Sequence, residues 1–198
     1  FWMIEPEIAF ADLDMNMEVI EAFIKSVVSR IIEKCPEELA VLERDVDRLK
    51  NVFQPFPRVT HNDAAKILRG ELEVNGKNAL KVQEEDLKNA HEQLAVVQAE
   101  IAEREEKIKT ASKGERKFNE GKIIQLRKDV EILTEKTRNI PGWIESARNF
   151  SDDEDFGNSD ETVLTRVFDA PVMVYNWPAK IKSFYMKEVD GNPDLVKG

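Results

Sequence analysis

Residue type and spacing point to chemistry most clearly in the N-terminal run Phe1-Trp2-Met3-Ile4-Glu5-Pro6-Glu7. Extended as a strand, it puts Phe1, Met3, Glu5 and Glu7 on one side and Trp2 and Ile4 on the other, because successive strand side chains alternate between faces. An aromatic face such as Phe1 can stack on a nucleobase for about 1–3 kcal/mol. A carboxylate further along that side, Glu5, can hold an α-ammonium group through a charge-assisted hydrogen bond. The same alternation also describes an edge strand whose acids point to water, and the pattern alone leaves both readings open.

Other chemistry-bearing residues are sparse. Cys35 is the single cysteine, so no intrachain disulfide can form and a reducing, cytoplasmic setting is expected. His61 and His91 have no neighbours at metal-ligand spacing, so no metal site is expected, and His61 reads as a helix-start or surface residue. Residues 151–161 hold six acids and Gly157 and read as an acidic flexible linker. No apolar run reaches membrane length and no signal-peptide pattern is present, so no membrane partner is expected.

The elements that must position these residues follow from periodicity. Residues 14–42 carry Met17, Val19-Ile20, Phe23-Ile24, Val27-Val28 and Ile31-Ile32 at helical spacing, with Asp14 or Asn16 available as a cap and Pro36 able to stop the helix or open the next one. Phe56-Pro57-Arg58-Val59-Thr60 predicts a short strand, and His61 to Leu68 a helix. Leu80, Leu87, Leu94, Ile101 and Ile108 recur every seven residues in a segment free of Pro and Gly, which predicts a long helix packed along a seam. The seam is thin, because Gln83 and Arg104 stand at intermediate positions. A second register follows, Ile123, Val130 and Thr137 on one row and Leu126, Leu133 and Ile140 on the other. Gly114, inside a basic turn at 111–117, can supply the positive φ of a helix end, and Pro141-Gly142 is expected to close the resulting coiled-coil-like hairpin.

Charge is distributed unevenly over these elements. The chain carries a net charge of −10, yet residues 107–138 hold ten basic and five acidic side chains, leaving −15 for everything else. A basic arm on an acidic body suits a polyanion contact, with Lys107, Lys109, Lys113, Arg116, Lys117, Lys122, Arg127 and Lys128 meeting phosphates. The other reading is a solvated helix surface laced with i,i+4 pairs.

Four blocks carry a resemblance. The run from Phe1 to Leu13 resembles the closing strand of the second signature motif of class II aminoacyl-tRNA synthetases, the asparaginyl branch above all. Glu5 in Phe-x-x-x-Glu-Pro-Glu favours that branch over the aspartyl one, which usually has Asp there. The 14–42 helix, the Arg58-Val59-Thr60 segment, and the strands around Pro171-Val172-Met173-Val174 and Ile181-Lys182-Ser183-Phe184-Tyr185-Met186 are similar to further blocks of the family. The hairpin resembles the WHEP domains found in several eukaryotic synthetases, through Val97-Gln98, Glu105-Glu106-Lys107-Ile108-Lys109 and Val130-Glu131-Ile132-Leu133.

The resemblance implies an α+β chain: part of a class II antiparallel sheet with flanking helices over residues 1–70, a WHEP-like insertion over 77–142, the acidic linker over 151–161, and a return to core strands over 162–198. It implies an asparagine-tRNA ligase, with ATP and asparagine as substrates, tRNA as partner, a homodimer when complete and no DNA. Phe1 would bind ATP, Glu5 and Lys187 the amino acid, and the eight basic hairpin residues tRNA. Lys187 stands where the family often has Arg, and a lysine lacks the planar guanidinium fork. Magnesium is implied for the complete enzyme, with its ligands outside this chain; Asp194 is not assigned to it. The absence of the family's motif arginines gives the expectation of a fragment that is inactive alone. The alternative is a non-catalytic protein that binds tRNA or docks on a synthetase.

Overall fold

Asp12 caps the first helix, α1 (Leu13–Lys34), accepting the Met15 N–H on Oδ1 at 2.8 Å. Asp14 and Asn16, the caps expected from the sequence, are already helical, whereas a cap must sit in extended backbone, as Asp12 does. Pro36 opens α2 (Pro36–Val41) at its first position, where a missing N–H costs nothing. A single-turn α3 (Val46–Leu49), capped by Asp45, leads into a 3₁₀ turn at Lys50–Phe53.

This computed structural model describes residues 2–198. The chain forms two compact units. The first takes the residues up to Ala64, with Asp152–Asp155 and Phe168–Gly198; the second takes Ala65–Ser151 and Phe156–Val167.

In the first unit, β1 (Arg58–Thr60) leads directly into α4 (His61–Leu68), of which only the residues up to Ala64 belong to that unit; its first turn is fixed by Thr60, whose Oγ1 donates to Asp63 Oδ2 and accepts the Asp63 N–H. β1 pairs with β2 (Met173–Tyr175), Val59 opposite Val174. That pair is parallel, a departure from the expected antiparallel sheet; 112 residues separate Thr60 from Met173, ample for the crossover a parallel pair requires. A second sheet is antiparallel, in the order β3 (Trp177–Pro178), β5 (Asn192–Val196), β4 (Glu188–Val189). The expected strand over 181–186 is absent. Ala179–Ile181 is a 3₁₀ turn, and Phe184 and Tyr185 stand out in solvent with no ladder to join. The fold of this unit is therefore mixed helix and small sheets. Its buried apolar residues include Met17 on α1, Leu39, Val52, Phe56, Ala64 and Val196.

The second unit is dominated by α5 (Ala79–Thr110) and α6 (Lys113–Arg148), with α7 (Asn158–Thr165) packed on both. Asn78 caps α5 by accepting the Leu80 and Lys81 N–H groups, and its amide donates to the Gly70 carbonyl at 2.8 Å. Gly70 has φ +73, and a Cβ there would stand 3.0 Å from the Asn78 Oδ1, so both conformation and space require glycine. The seven-residue row of α5 lies buried or half-buried along its length, as the spacing predicts. Where the seam is polar, Arg104 donates across it to Asn119 Oδ1 at 3.0 Å and along its own helix to Glu100.

Two expectations for the hairpin fail. Gly114 is not a left-handed helix end; it lies in the first turn of α6, and the reversal is made by extended Ala111 and Ser112, with Glu115 Oε2 accepting from both the N–H and the hydroxyl of Ser112. Pro141-Gly142 does not end α6, which continues to Arg148. A proline inside a helix costs about 3 kcal/mol, but continuing buries Ile144 and Ala147 beyond it, and a fully buried Ile side chain returns about 1.5–3 kcal/mol.

The acidic stretch is also more structured than a flexible linker. Asp153 pairs with Lys180, Asp155 accepts from Lys182 at 2.9 Å, and the Glu154 carbonyl accepts from His61 Nε2 at 2.9 Å. Residues 158–161 are helical, and buried Asp160 accepts from the Ser146 hydroxyl and the Gly157 N–H.

Candidate functional site

Glu5 lies in an irregular, solvent-exposed segment, since residues 2–8 carry no strand. A strand exists through its ladder, no described strand runs beside this segment, and Pro6 has no N–H to offer one. Phe1 falls outside the described residues.

One residue beyond Glu5 begins a cleft of about 280 Å³ lined by Pro6, Ile8, Asp12, Asn16, Lys187 and Lys197, among others. Glu5 does not line it. Lys187 does, and so two of the residues singled out from opposite ends of the sequence fall at or beside one cavity. The Lys187 carbonyl accepts the Lys197 N–H at 2.9 Å, which fixes the backbone from which its side chain projects. Lys197 Nζ in turn binds Asp190 at 2.9 Å. That hydrogen bond, with the Lys197 charge and a smaller contribution from Lys187, holds the Asp190 carboxyl below its ordinary value. The cleft is at the small end of ligand pockets. Its ammonium groups can donate to a carbonyl or carboxylate as point charges, without the bidentate geometry of arginine.

Beyond the cleft, His61 starts α4 as expected but is buried, at 1% exposure. Burial pushes its imidazole below the ordinary value, opposed by the hydrogen bond to Glu154 and the charge of Asp155. Its ring lies 4.8 Å from that of Trp177, over which Lys182 Nζ sits at 3.7 Å. Among the described residues no group of three or more His, Cys, Asp or Glu side chains could hold a metal ion, and Asp194 is exposed on β5. No helix of the described residues is long and apolar enough to cross a membrane.

The eight basic hairpin residues divide into two groups. Lys107 pairs with Glu103 at 2.5 Å, Lys109 with Glu106 at 2.5 Å and Arg127 with Glu105 at 3.0 Å. Lys113, Arg116, Lys117, Lys122 and Lys128 are exposed and form no ion pair among the described residues. Sequence reasoning passed over Phe118, which stands exposed between Lys117 and Lys122. Its signal was an aromatic residue off both heptad rows, with Gly114 four positions before it and Gly121 three after.

The family model for class II tRNA synthetases (D, K and N) matches residues 1–197, and the chain belongs to that family. Within it, the chain is similar to asparagine–tRNA ligases: 31% identical to that of Herpetosiphon aurantiacus over 198 residues, all of this chain and 30% of that protein. It is 33% identical to that of Sorangium cellulosum over 187 residues, 94% of this chain and 28% of that protein, and 27% identical to that of Chloroflexus aurantiacus over 196 residues, 99% and 29%. The chain thus spans about 30% of the length of the curated relatives it matches. No solved structure matches it.

Proposed function

We propose that these 198 residues are part of a cytoplasmic asparagine–tRNA ligase that is homodimeric when complete. The likeness to asparagine–tRNA ligases along the whole chain carries this reading. In the parent reaction a carboxylate oxygen of asparagine attacks the α-phosphorus of ATP, pyrophosphate leaves, and a terminal ribose hydroxyl of tRNA then takes the acyl group as AMP departs. Such catalysis rests on positioning and on stabilising charge that develops at the phosphate. In this chain Phe1 stacks on adenine, Glu5 holds the α-ammonium of asparagine, and Lys187, at the cleft beside Pro6, donates to the side-chain amide carbonyl. Residues 77–142 act as a WHEP-like insertion whose basic arm meets tRNA phosphates. By themselves the 198 residues are inactive, because about 70% of the length of the relatives lies outside them.

Joined to that remaining length, Phe1→Ala should lower kcat/KM for ATP by about 5- to 150-fold, the equivalent of 1–3 kcal/mol of stacking, while leaving KM for asparagine nearly unchanged. Glu5→Ala should do the reverse. Steady-state kinetics with each substrate varied separately reads the split, and equal damage to both substrates by both substitutions would remove these roles. Lys113, Arg116, Lys117, Lys122 and Lys128, exposed on α6 and without an ion pair among the described residues, favour a second reading, a non-catalytic tRNA-binding protein, which catalysis by the complete protein would eliminate.

A further inference from the structure

On one face of α6, Gly114, Lys117, Phe118, Gly121, Lys122 and Gln125 line a shallow open hollow. Phe118 is 61% exposed in it, and its position falls on neither heptad row, so the packing of the hairpin does not use this ring. The glycines have no packing reason either: a Cβ at Gly114 or at Gly121 would meet nothing within 4 Å. Glycine inside a helix is less stable than alanine, and alanine would fit at both positions. What the two glycines leave is bare backbone on either side of an exposed aromatic ring. The flanking Lys117 and Lys122, like Lys113, Arg116 and Lys128, make no ion pair among the described residues.

We propose that this face is a stacking platform for an unpaired nucleobase of a single-stranded RNA segment, with Phe118 under the base and Lys117 and Lys122 on the adjoining phosphates. The inference rests on reading the basic arm as a phosphate contact and adds a role that phosphate contact does not supply. Charge complementarity chooses the occupant: an exposed ring bordered by free ammonium groups, in an arm of net charge +5, suits a polyanion with accessible π-faces. Duplex RNA offers phosphates but keeps its bases stacked away, so the ring gives the face a preference for unpaired RNA. A protein partner docked on the same ring would need only its apolar surface.

The test uses the full 198-residue chain, a short fluorescein-labelled single-stranded RNA of mixed sequence and a blunt RNA duplex, with affinities read by anisotropy across a salt series. Phe118→Ala should weaken single-strand binding by about 5- to 150-fold, leave duplex binding and the salt slope unchanged, and leave helicity by circular dichroism intact. Phe118→Trp should keep the affinity and lose indole fluorescence on binding. The double change Lys117→Glu and Lys122→Glu should weaken both RNAs and flatten the salt dependence. If that double change acts but Phe118→Ala binds single strands like the unaltered chain, the phosphate contact stands and the platform falls. If Phe118→Leu binds single strands as well as the unaltered chain does, apolar contact suffices and the stacking role is overturned. Failure of the unaltered chain to bind either RNA would overturn both.

Discussion

Burial decides the behaviour of His61. Its Nε2–H donates to the Glu154 carbonyl, its ring meets Trp177, and Asp155 and Lys182 stand nearby. Desolvation dominates and lowers the imidazole pKa in the folded state below its ordinary 6.5. The unfolded chain therefore binds a proton more readily, so the stability that neutral His61 contributes is complete above pH 6.5 and is lost as pH falls through and below that value. Thermal melts should show Tm falling as pH is lowered from about 7.5 through His61's unfolded-state pKa. His61→Gln, which can still donate to Glu154, should flatten that dependence; an equal slope in the variant would assign it to other groups. At this scale the sequence disclosed residue types but not surroundings. It marked Lys187, which does line a cleft, and of the two readings of His61 the helix start holds while the surface one fails, because its burial depends on Glu154 and Trp177, 93 and 116 positions away.

The long helix α6 illustrates how packing overrules local signals. Pro141-Gly142 reads as a stop, yet Ile140, Ile144 and Ala147 continue one buried stripe across it. Ile144→Ala should therefore cost about 2–5 kcal/mol in urea unfolding, as for any large core residue. Pro141→Ala should raise the melting temperature, since Pro141 is exposed and its replacement restores a helical N–H. A helix that ended at Pro141 would leave both substitutions nearly silent. The elements most legible in the sequence were those with long, local periodicity: α5, whose seven-residue row is its packed side, and the β1–α4 passage, where Thr60 caps through Asp63 only three residues away. Those that failed depended on partners distant in sequence. The segment 2–8 alternates like a strand but has no described ladder beside it, and 181–186 has strand-forming residues whose neighbours pair elsewhere, as β4 with β5. Of the six acids of 151–161, Asp153, Asp155 and Asp160 looked solvated because Lys180, Lys182 and Ser146, which engage them, cannot be paired with them from spacing.

For the whole molecule, composition already separated an acidic chain of −10 from an arm of +5, and five of the eight cations named there form no ion pair among the described residues. Family membership rests on the match over residues 1–197, and the choice among its D, K and N members rests on likeness to asparagine–tRNA ligases. α1 also leaves Met15, Val19, Phe23, Val27 and Ile31, spaced four residues apart, on an exposed apolar stripe. The decisive measurement is amino-acid-dependent exchange of pyrophosphate into ATP by the complete protein that carries these residues, with asparagine, aspartate and lysine supplied in turn. Exchange driven by asparagine, and not by the other two, is the expected result; exchange driven by aspartate or lysine in its place, or by none of the three, would contradict the proposed function.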